Sequence, residues 1–191
     1  MGEQPKFERP DTPGEEHELV LARSEYLLKH IAEQEERHGI DPLTGARRIE
    51  VLKKELDHLL PLVRGDIKDK RKRKEVSVSG ISLVFIDLDR FKQVNDTYGH
   101  SVGDATLKRV SGLLRGSLRD EDMLARYGGD EFAILLLNTD EEAAVRIAEK
   151  LRLTITNDLE LKKFGVTASI GVCASDVSTA SDSETFMKHA D

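Results

Sequence analysis

Cysteine is nearly absent from this chain of 191 residues, with Cys173 the only one, so neither a disulfide framework nor a cysteine metal cluster can be built. Its neighbours Ile170, Val172 and Ala174 mark it as a buried, inert thiol. Long apolar runs are missing as well. No stretch approaches the roughly 20 residues that span a bilayer, and the N-terminus MGEQPKFERP lacks the apolar centre of a signal peptide. Both absences point to a chain that works in the cytoplasm. Nor is there an excess of positive charge: 29 Lys and Arg against 36 Asp and Glu leave a net charge of -7, which gives no support to nucleic-acid binding. What is there is 38% hydrophobic and 34% charged residues at a mean hydropathy of -0.44, which excludes collagen-like, disordered and membrane classes. The length fits about one domain of roughly 150 residues with a short extension.

Residues 1–12 are polar, carry Pro5 and Pro10, and read as a loose arm. Thr12, Pro13 and Glu15 then supply an N-cap, a proline for the first helical position and a capping-box acid, and Gly39 supplies a stop, so a helix is expected over 13–38. Its apolar positions, from Leu19 to Ile31, form a broken stripe suited to pairing with a second copy or to lying on a domain surface. The chain thus divides into an arm with a stalk helix over 1–39 and a globular domain over 40–191.

After the turn sequence DPLTG (41–45), Ile49, Leu52, Leu56, Leu59, Leu60 and Val63 recur at helical spacing. Residues 66–79 are a polar connection in which KDKRKRK (68–74) places six cations in seven residues; a solvated loop and a phosphate or partner contact are both open for it. ISLVFIDLD (81–89) is a nearly continuous apolar run, the pattern of a central strand covered on both faces. Leu107, Val110, Leu114 and Leu118 mark a helix over about 101–118, and Ala144, Ile147, Ala148, Leu151 and Ile155 mark another over 140–157. Between them MLARY (123–127) and EFAILLL (131–137) flank Gly128-Gly129, a pair suited to a type I′ hairpin because both central residues of that turn need φ > 0. VTASIGVCA (166–174) is a further strand, and 183–190 begins a last helix. This order predicts an α+β sandwich with a mostly antiparallel central sheet flanked by helices.

Asp87 and Asp89 end the buried strand, and Asp130 and Glu131 stand just past a tight turn at the start of another. Four carboxylates beside an apolar sheet repel one another and lose hydration, so a site that keeps them favours bound cations; the alternative, strongest for Asp89, is that some merely face water. Oxygen ligands without His or Cys favour Mg²⁺ or Mn²⁺ over zinc, and Mg²⁺ commonly bridges one or two carboxylates to substrate phosphates. Gly128 and Gly129 remove side chains beside the acids, so a bulky polyanion can approach the backbone. RFKQVNDTYGH (90–100) brings Lys92, Asn95 and helix N-terminal N–H groups to the same corner, which suits phosphate. Asn95 and Asp104 are equipped to read a base by hydrogen bonds. The residues by themselves describe a metal-dependent nucleotide site.

RYGGDEF (126–132), FIDLDRFKQVND (85–96), GHSVGD (99–104), DPLTG (41–45) and ASIGV (168–172), in this order and spacing, resemble the GGDEF family, the diguanylate cyclases, over about residues 40–191. The resemblance implies a palm-like fold similar to nucleotidyl cyclases and polymerases. It also implies an enzyme that condenses two GTP into cyclic di-GMP, as an antiparallel homodimer holding one GTP per domain, with the helix over 13–38 carrying a signal. By motif position it implies Asp87, the Leu88 carbonyl and Glu131 as Mg²⁺ ligands, with Asp130 beside them. Glu131 then also helps to deprotonate the attacking 3′-hydroxyl. Asn95 and Asp104 resemble the family's guanine readers, and Lys92 with the backbone of Arg90 and Phe91 its phosphate cradle. Arg119 and Asp122 form an R-x-x-D whose Asp lies six positions before Gly128; it resembles the family's inhibitory product site, with a plain surface ion pair as the other reading. A member that no longer turns over, and serves as a cyclic di-GMP sensor or a dimerisation module, is the rival implication. Two departures stand out. ARRIEVL (46–52) replaces the family's leucine and asparagine-arginine pair, and HAD (189–191) stands before the Lys and Arg by which the family's last helix reaches the triphosphate. Residues 40–191 are therefore expected to lack the final helix and last strand.

Overall fold

The computed structural model describes residues 39–63, 80–174 and 183–188. The arm and helix expected over 1–38 and the basic run 68–74 lie outside the described residues. In chain order the elements are β1 (Arg47–Arg48), α1 (Ile49–Val63), β2 (Ile81–Asp89), α2 (Phe91–Tyr98), α3 (His100–Arg115), β3 (Met123–Gly128), β4 (Glu131–Leu137), α4 (Glu141–Asn157), α5 (Leu159–Lys163), β5 (Thr167–Ala174) and α6 (Ser183–Lys188). The strands form one sheet in the order β1-β3-β4-β2-β5. All pairings are antiparallel except β1 with β3. This is the mostly antiparallel, helix-flanked architecture of the palm-like cyclase fold. Among the described residues no helix is long and apolar enough to cross a membrane.

The sheet has two faces because successive side chains of a strand point to opposite sides. Even-numbered residues of β2, β4 and β5, including Val84, Ile86, Leu88, Phe132, Ile134, Leu136 and Ala168, pack against α2, α3, α4 and α5. Odd-numbered residues, including Ile81, Leu83, Ala133 and Leu135, pack against Leu52, Leu56, Leu59 and Leu60 of α1 and Met187 of α6. Helix α4 begins where Asp140 accepts a hydrogen bond from the Ala143 N–H at 2.8 Å, a side-chain cap that satisfies one orphan donor of the first turn. Residue 173 lies on the odd face, and Cys173 is half-buried rather than buried; burial and the Glu141 charge raise its thiol pKa, which keeps it inert.

Three local expectations change. The helix placed at about 101–118 begins at His100 and ends at Arg115. Gly99 at φ +84 separates it from α2, a conformation that L side chains rarely adopt. The hairpin loop is Gly129-Asp130, one residue later than expected, because Gly128 pairs with Glu131. Only Gly129 has positive φ, at +50, so the turn is not type I′. The register shifts between Arg126 and Gly128, so Tyr127 and Gly128 together oppose Glu131 in a bulge. Two elements have no counterpart in the sequence pattern: β1 is two residues long, and α5 is a five-residue helix capped by Asp158.

Candidate functional site

The odd face carries the acids. Asp87 is the direct antiparallel partner of Glu131 on one side and of Ser169 on the other, and Asp89 is the partner of Thr167. Directly opposed residues hold their Cβ atoms about 4.5–5.5 Å apart on one face, and like charges there are destabilising. Burial first, and then the charges of Asp130 and Asp89, push the Asp87 carboxyl above its ordinary pKa. A bound cation would relieve that crowding. Among the described residues no three His, Cys, Asp or Glu side chains converge on one point. Two opposed carboxylates, the neighbouring Asp130 and the Leu88 carbonyl remain, and so sparse an oxygen set suits Mg²⁺, which keeps waters and substrate phosphates in its shell.

Asp87 and Glu131 border a cleft of about 450 Å³ between the odd face, α1 and α6, lined also by Lys53, Tyr127, Ser169 and Glu184 among others. Lys53 was not singled out by any motif; its only sequence signal is a place on α1 one position after the buried Leu52. Tyr127 at the bulge is 45% exposed. It leans edge-on against Phe85, with ring centroids 5.9 Å apart. A second cleft of about 390 Å³ on the far side of Tyr127 reaches Arg48, Arg126, Gly128 and Gly129.

Arg126 ties the glycine turn to the DPLTG turn. Its Nε and Nη2 donate to the Gly129 carbonyl at 3.2 and 2.7 Å. Its Nη1 lies 3.2 Å from Asp41 Oδ1. Asp41 also accepts from the Thr44 N–H at 2.8 Å and hydroxyl at 2.6 Å. Burial alone would raise the Asp41 pKa, but the Thr44 hydrogen bonds and the Arg126 charge outweigh it and hold the carboxyl below its ordinary value. From the opposite side, the Ser111 hydroxyl donates to the Thr44 carbonyl at 3.0 Å, and Arg115 donates to the Gly45 carbonyl. The DPLTG turn is thus held by both α3 and the hairpin, a link that no local pattern announces.

Asn95 meets α3 where α2 packs on it. The Asn95 side chain lies directly on Gly103, where an added Cβ would fall 1.9 Å from its Oδ1, so Asn95 and the exposed Asp104 are neighbours. Lys92 is exposed on the first turn of α2. The Phe91 ring is 8% exposed and belongs to the even-face core, which leaves only its backbone for a ligand. Arg90, between β2 and α2, has φ +65 and ψ +15 and offers α2 no side-chain cap. That left-handed conformation costs a non-glycine residue about 1–2 kcal/mol.

Arg119 and Asp122 are not joined by a side-chain ion pair. Asp122 Oδ2 accepts from the Arg119 backbone N–H at 3.0 Å, while its buried Oδ1 has no hydrogen-bond partner. The Arg119 guanidinium is 65% exposed and comes within 3.7 Å of Glu121 instead. The exposed Arg119 guanidinium, its backbone fixed by Asp122, is suited to an anionic ligand such as phosphate.

The model of the family described as "Diguanylate cyclase, GGDEF domain" matches residues 40–191. The chain is 32% identical over 178 residues to the response regulator PleD of Caulobacter vibrioides, an alignment that covers 88% of this chain and 36% of PleD. It is 43% identical over 95 residues to diguanylate cyclase A of Treponema denticola, covering 48% of this chain and 26% of that protein. The aligned part is therefore well under half of those relatives. A crystal structure of the coiled coil and GGDEF domain of DgcB from Caulobacter crescentus, in complex with c-di-GMP, superposes with a TM-score of 0.72 at 23% identity, covering 90% of this chain and 86% of that one. At that identity the likeness speaks for the fold. With the motifs in order along one sheet and the family match running from the DPLTG turn through β5 and α6, the chain belongs to the GGDEF diguanylate cyclase family.

Proposed function

We propose that the chain is the catalytic domain of a diguanylate cyclase, joining two GTP into cyclic di-GMP with release of two pyrophosphates. The observation that carries this reading is the pairing of Asp87 with Glu131 across adjacent strands, beside a turn whose glycines leave the backbone open. Mg²⁺, or Mn²⁺ in its place, would be held by Asp87, the Leu88 carbonyl and Glu131 with Asp130 beside them, and when bound it neutralises the triphosphate and polarises the α-phosphate. Lys92 and the N–H groups of Arg90 and Phe91 hold the phosphates. Asn95 and Asp104 read the base: Asp104 accepts from guanine N1–H and N2–H₂, whereas adenine offers an acceptor at N1 and would leave that carboxylate without its donors. Glu131 takes the proton from the 3′-hydroxyl as its oxygen bonds to the α-phosphorus of the facing GTP, and the bond from that phosphorus to pyrophosphate breaks. Since the second nucleotide must come from a facing domain, two copies in antiparallel arrangement complete the site, and alignment supplies much of the acceleration.

Arg119 and Asp122 form a product site in this reading. The guanidinium grips phosphate and stacks on guanine, and Asp122 holds the Arg119 backbone in place for it. Cyclic di-GMP bound there holds two domains apart and inhibits, in the cytoplasmic signalling role that the family implies. The test is to incubate the full chain with GTP and Mg²⁺, with ATP as the comparison, and to identify the product. Cyclic di-GMP from GTP alone is expected, with inhibition by added product that Arg119→Ala relieves. Unchanged GTP together with Arg119-dependent binding of cyclic di-GMP would replace the cyclase reading with that of a sensor.

A further inference from the structure

Asp89 shares the odd face with Asp87 but differs from it in its neighbours. Its Oδ2 accepts from the Thr167 hydroxyl at 2.5 Å and its Oδ1 from the Ser169 hydroxyl at 2.7 Å. Both donors come from β5, and Asp89–Thr167 is the last pair of that ladder. With each carboxylate oxygen engaged by a hydroxyl, Asp89 neither merely faces water nor stands ready as a third ligand beside Asp87.

The residue it precedes is the conformational outlier of the site. Among the described residues only Arg90 and Asn138 combine positive φ with a side chain. Asparagine visits that region readily, whereas arginine does so only when its surroundings impose it. Arg90 is enclosed on three sides. Before it, Asp89 is clamped to β5. After it, Phe91 is anchored in the core, and the Arg90 carbonyl accepts the Val94 N–H at 3.2 Å. Beside it, Gly165 carries no Cβ, and one added there would lie 3.9 Å from Arg90 Nη1. One segment of chain, 165–169, therefore meets both Asp89 and Arg90.

We infer that Asp89, Thr167 and Ser169 are positioning residues that hold Arg90 in its left-handed conformation, so that the turn between β2 and α2 presents its N–H groups to substrate phosphates. The inference rests on the reading of that turn as a phosphate cradle. The first acid of the D-x-D (87–89) is presented to the cleft, and the second sets the turn.

A double-mutant cycle tests it. Binding of a non-hydrolysable GTP analogue with Mg²⁺ is measured by calorimetry for the full chain, for Thr167→Val with Ser169→Ala, for Arg90→Gly, and for all three changes together. Removing both hydroxyls is expected to weaken binding about tenfold, the scale of one lost charge-assisted hydrogen bond. The same change is expected to cost less than threefold in the Arg90→Gly background, because glycine adopts positive φ without a clamp. Thr167→Val alone, with an intermediate loss, serves if the pair does not fold. A purely structural role would lower affinity equally in both backgrounds, and that result, or unchanged affinity on removing the hydroxyls, overturns the inference while leaving the cyclase reading intact. Failure of the unaltered chain to bind the analogue overturns both.

Discussion

The two faces of the sheet are built from the same strands and differ by one residue in phase. The even face is apolar as far as Leu88 and Phe132 and is sealed by four helices. The odd face is apolar only from Ile81 to Phe85, under α1 and α6, and then turns polar through Asp87, Asp89, Glu131, Thr167 and Ser169. A one-residue slip would exchange these sets, so the even-face core fixes the register that opposes Asp87 to Glu131. The crowded acids thus sit at one end of the odd face, beyond its own apolar patch and behind the fully apolar even face.

The sharpest test of that division is Glu131→Gln. It should reduce cyclic di-GMP formation by on the order of 10²–10³-fold, as expected when charge that stabilises a transition state is removed, with an unchanged melting temperature; a matching fall in melting temperature would show that the odd-face acids are structural. Gly103→Ala probes the boundary from the sealed side. Its new Cβ displaces Asn95, so the KM for GTP should rise by roughly tenfold or more, and discrimination against ATP should weaken.

Arg126→Lys comes next, since an ammonium cannot span both Asp41 and the Gly129 carbonyl. Turnover should fall by about tenfold. The Asp41 carboxyl is held below its ordinary pKa, so its contribution is present above the unfolded value and is lost as pH falls through the lowered folded value. Arg126→Lys should therefore flatten the acid limb of the stability profile, read as melting temperature against pH. The smallest effect on stability is expected of Asp87→Asn. A raised carboxyl pKa means that the folded state loses stability as pH climbs from the ordinary value through the raised one. Without divalent cation the variant should melt slightly higher than the parent at neutral pH, and Mg²⁺ should stabilise the parent more. Equal responses to Mg²⁺ would separate Asp87 from cation binding.

Strands 81–89 and 131–137 were legible to the residue because apolar runs of β-favouring side chains end abruptly at acids or polar turns, and α4 was legible to within one residue because its apolar spacing begins at a capping Asp. The residues proposed for the site stand out in the sequence as motifs close along the chain, and the fold opposes two of them, Asp87 and Glu131, across adjacent strands. What the sequence could not show is which distant segments meet. The Arg126–Asp41 link spans 85 residues, and the clamp on Asp89 spans 78 and 80; neither follows from any local periodicity. The one-residue offset of the hairpin turn and the parallel pairing of β1 likewise depend on neighbours far along the chain. Local chemistry by itself determined the longer elements and the position of the acids along the chain, through side-chain period and residue type. Only the tertiary structure decided that Asp87 faces the cleft while Asp89 serves β5, because identical carboxylates on one face differ only in the hydroxyls that folding brings beside them.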